Sequence, residues 1–372
     1  MKKLILAILS LITLPASAQI SGDGYYRVQN NGTERYITIT DDIIGQVDMS
    51  ATTVDLINIT TWRGFDNVKS NPGSIIYINK VGSKYNIAAQ GISVYDITGG
   101  NGYVDLKHRG NGIYEITATA KSVSKWLFDI TGTKDYSSVA DYGDNTNKFW
   151  RIKPLNTTDN YIGFTPTMHA SDGWYGTFYA SFPFKVASSD TKVYIVDGVK
   201  TGKFQLKEIK DEIKPAFTPL IIKCSTNDAS NNQITPVVAT TTAPSDNLLK
   251  GTLFCSFNYQ HEKYVKFDES KMRVLGLNAA GDLILTADKS TLVERKNKYY
   301  IPANTAYLYN SNGLSGDYKL VSRDDYTGIQ NIEADAKPNA AKGTFTLSGV
   351  KVDDKNLHPG VYIRNGKKVV IK

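Results

Sequence analysis

The chain has 372 residues and a formal net charge of +7, from 43 Lys and Arg against 36 Asp and Glu. This length is enough for about two domains of ordinary size. The lysines are dispersed among acids, so the charge excludes the basic stripe of a nucleic-acid-binding surface and indicates a mildly basic one. With 23 Tyr, 30 Gly and many β-branched residues between Asn, Asp and Gly turns, the composition predicts an all-β chain.

The first residues have the three parts of a secretory signal peptide. The positive start Met1-Lys2-Lys3 is followed by an apolar run, Leu4 to Pro15, and by the small-residue cleavage site Ala16-Ser17-Ala18. The run is shorter than the roughly 20 residues of a transmembrane helix, so no transmembrane segment is predicted. We expect residues 1–18 to be removed. The mature chain then crosses the inner membrane and is periplasmic, at the cell surface or extracellular.

Residues 22–155 are predicted to form one β-domain. The strand patterns Gly24–Asn30 and Arg35–Ile39 are joined by an Asn-Gly turn, and a similar unit follows at Ser74–Asn79 and Tyr85–Gln90. Short strands over this length, with a returning tryptophan, resemble a β-trefoil of the ricin-lectin type. The segments G-Y-Y-R-V-x-N and F-W-R-I carry this resemblance, which implies a β-trefoil-like fold.

Three tryptophans, Trp62, Trp126 and Trp150, recur near the ends of these predicted units. Lectins of that family carry Q-x-W near the end of each repeat, whereas this chain has T-T-W, S-K-W and K-F-W. The family's sugar-binding residues are therefore not transferred to this sequence. Tryptophans in such a barrel lie in the core more often than they form sugar-stacking surfaces.

Residues 156–325 are predicted to form a β-sandwich domain. In the aromatic run Trp174–Phe184, alternation places Phe178, Ala180 and Phe182 on a core face, and Tyr175, Thr177, Tyr179 and Ser181 on the opposite face. The second set is predicted to lie on a sheet surface or against the first domain.

A short internal sequence repeat, which we call the echo, extends the sandwich prediction. Pro215–Ile221 matches Pro302–Leu308, and each segment follows a strand, a turn and another strand. The preceding strand pairs are expected at Lys192–Val196 with Phe204–Ile209 and at Leu283–Thr286 with Lys298–Ile301. The echo predicts two related halves that pack face to face.

The end of the chain predicts a short β-meander over residues 343–372, after a linker at 326–342. Strand patterns run from Phe345 to Val352, from Val361 to Arg364 and from Lys367 to Lys372, and the last two are joined by an Asn-Gly hairpin turn. A stabilising edge hairpin is one interpretation. T-G-I-x-N-I, T-L-S-G, P-G-V-Y-I and N-G-K-K-V also resemble the C-terminal sorting tails of secreted Bacteroidales proteins. That resemblance implies type IX export machinery as a partner and attachment at the outer membrane surface.

Nearly the whole mature chain resembles a group of secreted surface proteins of Bacteroides and Prevotella, for which no activity is established. The segments D-G-Y-Y-R-V-Q-N, T-F-Y-A-S-F-P-F and I-P-A-N-T carry the resemblance.

No catalytic pattern stands out. The four histidines have no metal-ligand spacing, and no HExxH, CxxC, GxSxG or phosphate-binding loop occurs. The acidic pairs Asp41-Asp42, Asp324-Asp325 and Asp353-Asp354 lie in turn or linker contexts, where carboxylates are usually solvated. We therefore predict no catalytic residue, no metal site and no cofactor, and we do not expect an enzyme.

Two functions remain. The first is a secreted or surface-displayed, non-catalytic binding protein that recognises glycans through the trefoil-like domain. Its weak ligand-binding candidates are Trp62, Trp174, Tyr175 and Tyr179. The alternative is a structural or adhesive surface protein that acts through protein–protein contacts with a host or surface protein. No nucleic-acid partner is expected.

Two cysteines, Cys224 and Cys255, lie in apolar strand-like segments. In an oxidising compartment they are a disulfide candidate; the alternative is two buried free thiols. Closing a loop of about 30 residues would stabilise the fold by roughly 3 kcal/mol. We expect the secreted protein, unfolded without reductant, to show no maleimide-reactive thiol and to gain the mass of two hydrogens on reduction. Two reactive thiols would contradict the bridge, and Cys224→Ser, which cannot form it, is the control.

Overall fold

The computed structural model describes most of the chain, and strands make up nearly all the regular secondary structure of its described part. Described are residues 20, 22–39, 59–93, 103–120, 123–130, 135–142, 146–200, 202–253, 264–323, 344–346, 351–353, 357–364 and 367–371. The predicted all-β fold is confirmed, with two short 3₁₀ helices at Phe65–Asn67 and Pro72–Ser74. Across these ranges, no helix is long and apolar enough to cross a membrane.

Several predictions concern residues outside the described ranges. The signal peptide, the linker 326–342 and the acidic pairs Asp41-Asp42 and Asp324-Asp325 are among them. Cys224 is buried, and its candidate partner Cys255 lies outside the described residues. The Cys224–Cys255 bridge therefore stays a prediction.

In its described residues, the first domain has eleven strands in a single sheet. They are β1 (Gly24–Asn30), β2 (Arg35–Ile39), β3 (Ile59–Arg63), β4 (Ile76–Val81), β5 (Lys84–Ala89), β6 (Ile92–Ser93), β7 (Tyr103–Gly110), β8 (Ile113–Ala120), β9 (Val123–Asp129), β10 (Tyr136–Tyr142) and β11 (Phe149–Pro154).

Six of these strands close into a ring of antiparallel pairs. The ring runs β1–β4–β5–β7–β8–β11 and returns to β1. The strands between them form outer hairpins, β2–β3 and β9–β10, which pair with each other through β3 and β10. Each third of the domain thus begins and ends with a ring strand, which is the arrangement of a β-trefoil.

The ring is filled by residues that alternate along its strands. Ile76 and Ile78 of β4 are fully buried, while Tyr77 between them is half-buried. Trp150 of β11 is 0% exposed and donates its indole N–H to the Leu127 carbonyl at 2.8 Å. It is therefore a core residue. Trp62 lies instead in the outer strand β3, not at the end of a repeat.

The described part of the second domain has fifteen strands. They are β12 (Ile162–Gly163), β13 (Met168–Ala170), β14 (Gly173–Phe178), β15 (Phe184–Val186), β16 (Lys192–Lys200), β17 (Lys203–Glu208), β18 (Leu220–Cys224), β19 (Gln233–Pro236), β20 (Leu249–Thr252), β21 (Met272–Leu277), β22 (Leu283–Thr286), β23 (Val293–Arg295), β24 (Lys298–Tyr300), β25 (Thr305–Tyr309) and β26 (Tyr318–Val321).

The large sheet of this domain has a nearly symmetric strand order, β14-β18-β16-β17 on one side of β26 and β22-β21-β25-β20 on the other, with β13 at the outer edge of β14. The predicted two related halves are therefore present, and the echoed segments lead into β18 and β25. Phe217 and Asn304, at matching places in the echo, both have positive φ, 52° and 56°.

One part of the echo prediction was wrong. The strand pair that corresponds to β16–β17 is β21–β22, because β18 pairs with β16 just as β25 pairs with β21. The expected partner at Lys298–Ile301 belongs instead to the separate β23–β24 hairpin.

The domain has three layers. A core that includes Tyr175, Val196, Ile221, Leu275 and Leu308 fills the space between the two halves of the large sheet. A second core, with Phe178, Ala180 and Phe182, packs the opposite face against the small sheet β12-β19-β15. The predicted core face of the aromatic run is thus confirmed, and the sandwich carries an additional layer.

Arg27 of β1 joins the two domains. Its side chain is fully buried and donates to Ser74 Oγ at 3.2 Å and the Val68 carbonyl at 2.9 Å in the first domain. It also donates to Asn160 Oδ1 at 3.2 Å and the Tyr161 carbonyl at 2.6 Å in the second. Burial lowers its pKa to about 10, so the guanidinium stays charged at neutral pH.

The end of the chain, Thr327–Lys372, forms a separate compact unit. Its four strands are β27 (Thr344–Thr346), β28 (Lys351–Val352), β29 (Gly360–Arg364) and β30 (Lys367–Ile371), in the sheet order β28-β27-β29-β30. The predicted β29–β30 hairpin is present. The single first strand that we expected is instead two strands, which pair with each other.

We expect Arg27→Met to lower the free energy of unfolding of the Met1–Tyr326 unit by about 2 to 4 kcal/mol. The substitution leaves buried oxygens of both domains without a donor, and this loss exceeds the gain from removing a buried charge. Urea denaturation followed by tryptophan fluorescence measures the change. The exposed Arg63→Met is the control, and equal midpoints for the two variants would contradict the role of Arg27.

Candidate functional site

The four predicted ligand-binding residues do not form one site. Trp62 is half-buried in β3, opposite Tyr36 of β2 and Tyr136 of β10 in the trefoil. Trp174, Tyr175 and Tyr179 lie in or just after β14 in the second domain. Trp174 is half-buried, and its ring stacks on the exposed His169 with centroids 4.5 Å apart.

Tyr175 is a core residue of the second domain. Its ring is buried between the halves of the large sheet, and its hydroxyl donates to Asp172 Oδ2 at 2.9 Å. Lys223 donates to the same oxygen at 2.6 Å. The expectation that Tyr175 lies on a sheet surface or against the first domain was wrong, because the second half of the sheet covers that face.

Tyr179 lies beside the junction of the two domains. Its N–H donates to the Asn304 carbonyl and its own carbonyl accepts from Asn304 Nδ2, both at 2.9 Å. Asn304 and the trefoil residue Gln90 exchange two side-chain hydrogen bonds, of 2.7 and 3.0 Å. The ring of Tyr179 packs so closely over Gly251 that a Cβ there would lie 2.3 Å from it.

A cleft of about 590 Å³ opens between the two domains. The trefoil contributes the turn Ser70-Asn71-Pro72, and the second domain contributes segments around β14, β21 and β25. We call it the neutral cleft, because none of the described residues that line it is charged. Its apolar lining consists mainly of Phe164, Met168, Phe178, Val274 and Leu275. Its polar side chains include Ser70, Asn71, Thr165, Thr167, Thr177, Thr291 and Asn304.

Two local features shape this cleft. Gly176 of β14 leaves room for Phe164, since a Cβ there would lie 2.8 Å from that ring. The trefoil turn is held by Arg27, which bonds the Val68 carbonyl and Ser74 Oγ on either side of it. Both walls are therefore fixed by buried contacts.

Sequence reasoning missed the neutral cleft because its lining is spread over several distant segments. One signal was available, since the I-P-A-N-T segment at Ile301–Thr305 supplies Pro302, Ala303, Asn304 and Thr305 to the lining.

A second cavity, of about 780 Å³, lies beside Tyr175 and is highly charged. Its charges are largely compensated: Lys223 pairs with Asp172 at 2.6 Å and Lys319 with Asp282 at 3.0 Å. Within the described ranges, no group of three His, Cys, Asp or Glu residues could hold a metal ion.

Comparisons with known proteins provide no functional name. No protein-family model matches the sequence, and no curated protein is significantly similar. Among solved structures, the designed three-fold symmetric protein ThreeFoil is 20% identical, with a TM-score of 0.27, over 36% of this chain and 99% of its own. A mosquitocidal holotoxin is 11% identical, with a TM-score of 0.25, over 78% of this chain and 34% of its own. Likeness at this level carries no argument, so the trefoil description rests on the strand pairing.

Asp172 provides a pH-dependent contribution to stability. Burial raises the pKa of its carboxyl, but hydrogen bonds from Lys223 and Tyr175 outweigh this, so the pKa lies below its ordinary value. The stabilisation is therefore present above the unfolded pKa of about 3.9 and is lost as the pH falls through the folded pKa.

We expect Asp172→Asn to be less stable than the wild type at neutral pH, with a difference that shrinks below about pH 4. Urea unfolding over a pH series measures it. Asp190→Asn, on an exposed loop, is the matched control. A stability difference that is independent of pH would contradict this assignment.

Proposed function

We propose that this protein is a non-catalytic binding protein that recognises an uncharged saccharide in the neutral cleft. The observation that carries this proposal is the described lining of that cleft, which combines hydroxyl and amide side chains with an apolar floor and includes no charged residue. In a chain in which 21% of residues are charged, such a lining selects against ionic ligands. A sugar ring presents the matching surface, with hydroxyl groups at its edge and C–H groups on its faces.

The positions of the lining residues fit this use. Phe164 and Phe178 are buried beneath the cleft, whereas Thr165, Thr167 and Thr291 are exposed at it. The exposed hydroxyls can donate and accept hydrogen bonds, and the aromatic floor supplies apolar contact. The volume of the cleft falls in the range of small-molecule sites, roughly 300 to 1,000 Å³.

The same lining supports binding over catalysis. Glycoside hydrolysis generally uses two carboxyl groups on either side of the scissile bond. The described lining residues include no carboxylate, histidine, cysteine or lysine. These residues therefore supply hydrogen bonds and apolar contacts, but no general acid or base.

We extend this proposal to location. The signal-peptide pattern at residues 1–18 and the resemblance of the last residues to sorting tails support secretion and display at the cell surface. The separate compact unit Thr327–Lys372 is compatible with a tail that is handled independently of the binding unit.

A glycan array with the mature protein tests the function, and we expect bound glycans to be uncharged. Thr167→Asp places a charge at an exposed position of the cleft, so it should weaken binding to those glycans at least about tenfold. Thr235→Asp, exposed on β19 outside the cleft lining, is the matched control and should bind like the wild type.

Two outcomes would overturn the proposal. One is an array without hits, which would favour the alternative of protein–protein contacts if the protein still binds cells or matrix. The other is glycan binding that Thr167→Asp leaves unchanged while the variant keeps its wild-type unfolding midpoint, which would place the site elsewhere.

A further inference from the structure

A second candidate site lies in the second domain, at the end of β21 and β25 and beside the β23–β24 hairpin. It is a cavity of about 690 Å³, which we call the basic cavity. The hairpin turn Lys296-Asn297 has positive φ at both residues, 47° and 60°, as a type I′ hairpin turn requires. This turn places Asn297 and Lys298 at the cavity, opposite the turn Asp268–Lys271.

The charge of this cavity is not balanced. Four lysines line it, Lys266, Lys271, Lys289 and Lys298, against two carboxylates, Asp268 and Glu269. Of these lysines, only Lys289 has an ion pair among the described residues, at 2.7 Å from Glu269.

Both carboxylates are already engaged. Asp268 Oδ1 accepts hydrogen bonds from the Ser270 N–H at 3.0 Å and from the Ser270 hydroxyl at 2.6 Å. These two bonds close the turn Asp268–Lys271. Glu269 is held by Lys289. Asp268 keeps its negative charge near Lys266 and Lys271, but the four lysines outnumber the two carboxylates, so the cavity has excess positive charge.

Aromatic side chains complete the lining. Lys289 Nζ lies 5.3 Å from the centroid of the Tyr299 ring. Tyr309, at the end of β25, is 39% exposed and also lines the cavity. Lysine ammonium groups next to partly exposed tyrosine rings fit a ligand that carries a compact anionic group on a ring with apolar faces.

We propose that the basic cavity binds an anionic saccharide and that its lysines contact a sulfate or carboxylate group of that sugar. This site is separate from the neutral cleft and does not depend on it. The four lysines surround a single cavity, and this arrangement favours a compact anionic sugar over an extended nucleic-acid strand.

Isothermal titration with a heparin-derived hexasaccharide and with its fully desulfated form tests the proposal. We expect the sulfated form to bind, with weaker binding at high salt because the ammonium groups are exposed. Retained binding of the desulfated form would assign recognition to carboxylates, and its loss would assign recognition to sulfate. Both results support an anionic saccharide.

Variants locate the site. Lys271→Gln and Lys298→Gln should each weaken binding about threefold, and together about tenfold. Lys192→Gln removes the same charge from an exposed position at the start of β16 and should have no effect. Tyr309→Ser should weaken binding of the hexasaccharide but should not change binding of inorganic sulfate. Thr167→Asp, in the neutral cleft, should leave this binding unchanged, which separates the two proposals.

Three results would overturn this inference. They are no binding of either hexasaccharide, equal losses in Lys192→Gln and Lys271→Gln, or tighter binding of a single-stranded oligothymidylate than of the sulfated sugar.

Discussion

The buried guanidinium of Arg27 is the contact on which the arrangement of the two β-domains depends. Its donors satisfy oxygens of Val68 and Ser74 in the trefoil and of Asn160 and Tyr161 in the second domain. A buried charge is tolerated only when its hydrogen bonds are made, so the side chain requires both domains in place. Apolar contacts support this junction: Leu253 packs on the trefoil core, and Ile75 belongs to a core of the second domain.

This junction also explains why the neutral cleft has its composition. Its walls come from two domains whose contact is already fixed by Arg27 and by the Gln90–Asn304 pair. A charged side chain in place of the buried floor residues Phe164 or Phe178 would lose solvation without gaining a partner, whereas Thr, Ser and Asn can make hydrogen bonds locally. The basic cavity lies beside the β23–β24 hairpin, where Lys266 and Lys298 are exposed and remain solvated.

The internal symmetry of the second domain places two different residue types in the same backbone conformation. Phe217 and Asn304 occupy the same place in the echo, both with positive φ. Asparagine tolerates this conformation and uses its amide to bond Gln90 and Tyr179, while phenylalanine is unusual there. Phe217 is 47% exposed, and its N–H donates to the Ala180 carbonyl at 2.8 Å. The turn is thus fixed by its backbone contact as well as by residue preference.

The sequence by itself determined the fold class, several strands and the core face of individual strands. The all-β class, the Asn-Gly hairpin of the last residues and the core face of Phe178, Ala180 and Phe182 follow from alternation and turn chemistry, which act between neighbours in the chain. The closed ring of the first domain was expected only through resemblance.

Tertiary structure alone decided how many layers cover each strand and which distant residues meet. Tyr175 is buried because the second half of the sheet lies over the face that alternation had left open. The neutral cleft and the basic cavity combine residues from segments far apart in the chain, such as Asn71 with Thr177 and Lys271 with Lys298. Periodicity assigns a residue to a face, but it carries no information on what packs against that face, since packing depends on contacts between remote segments.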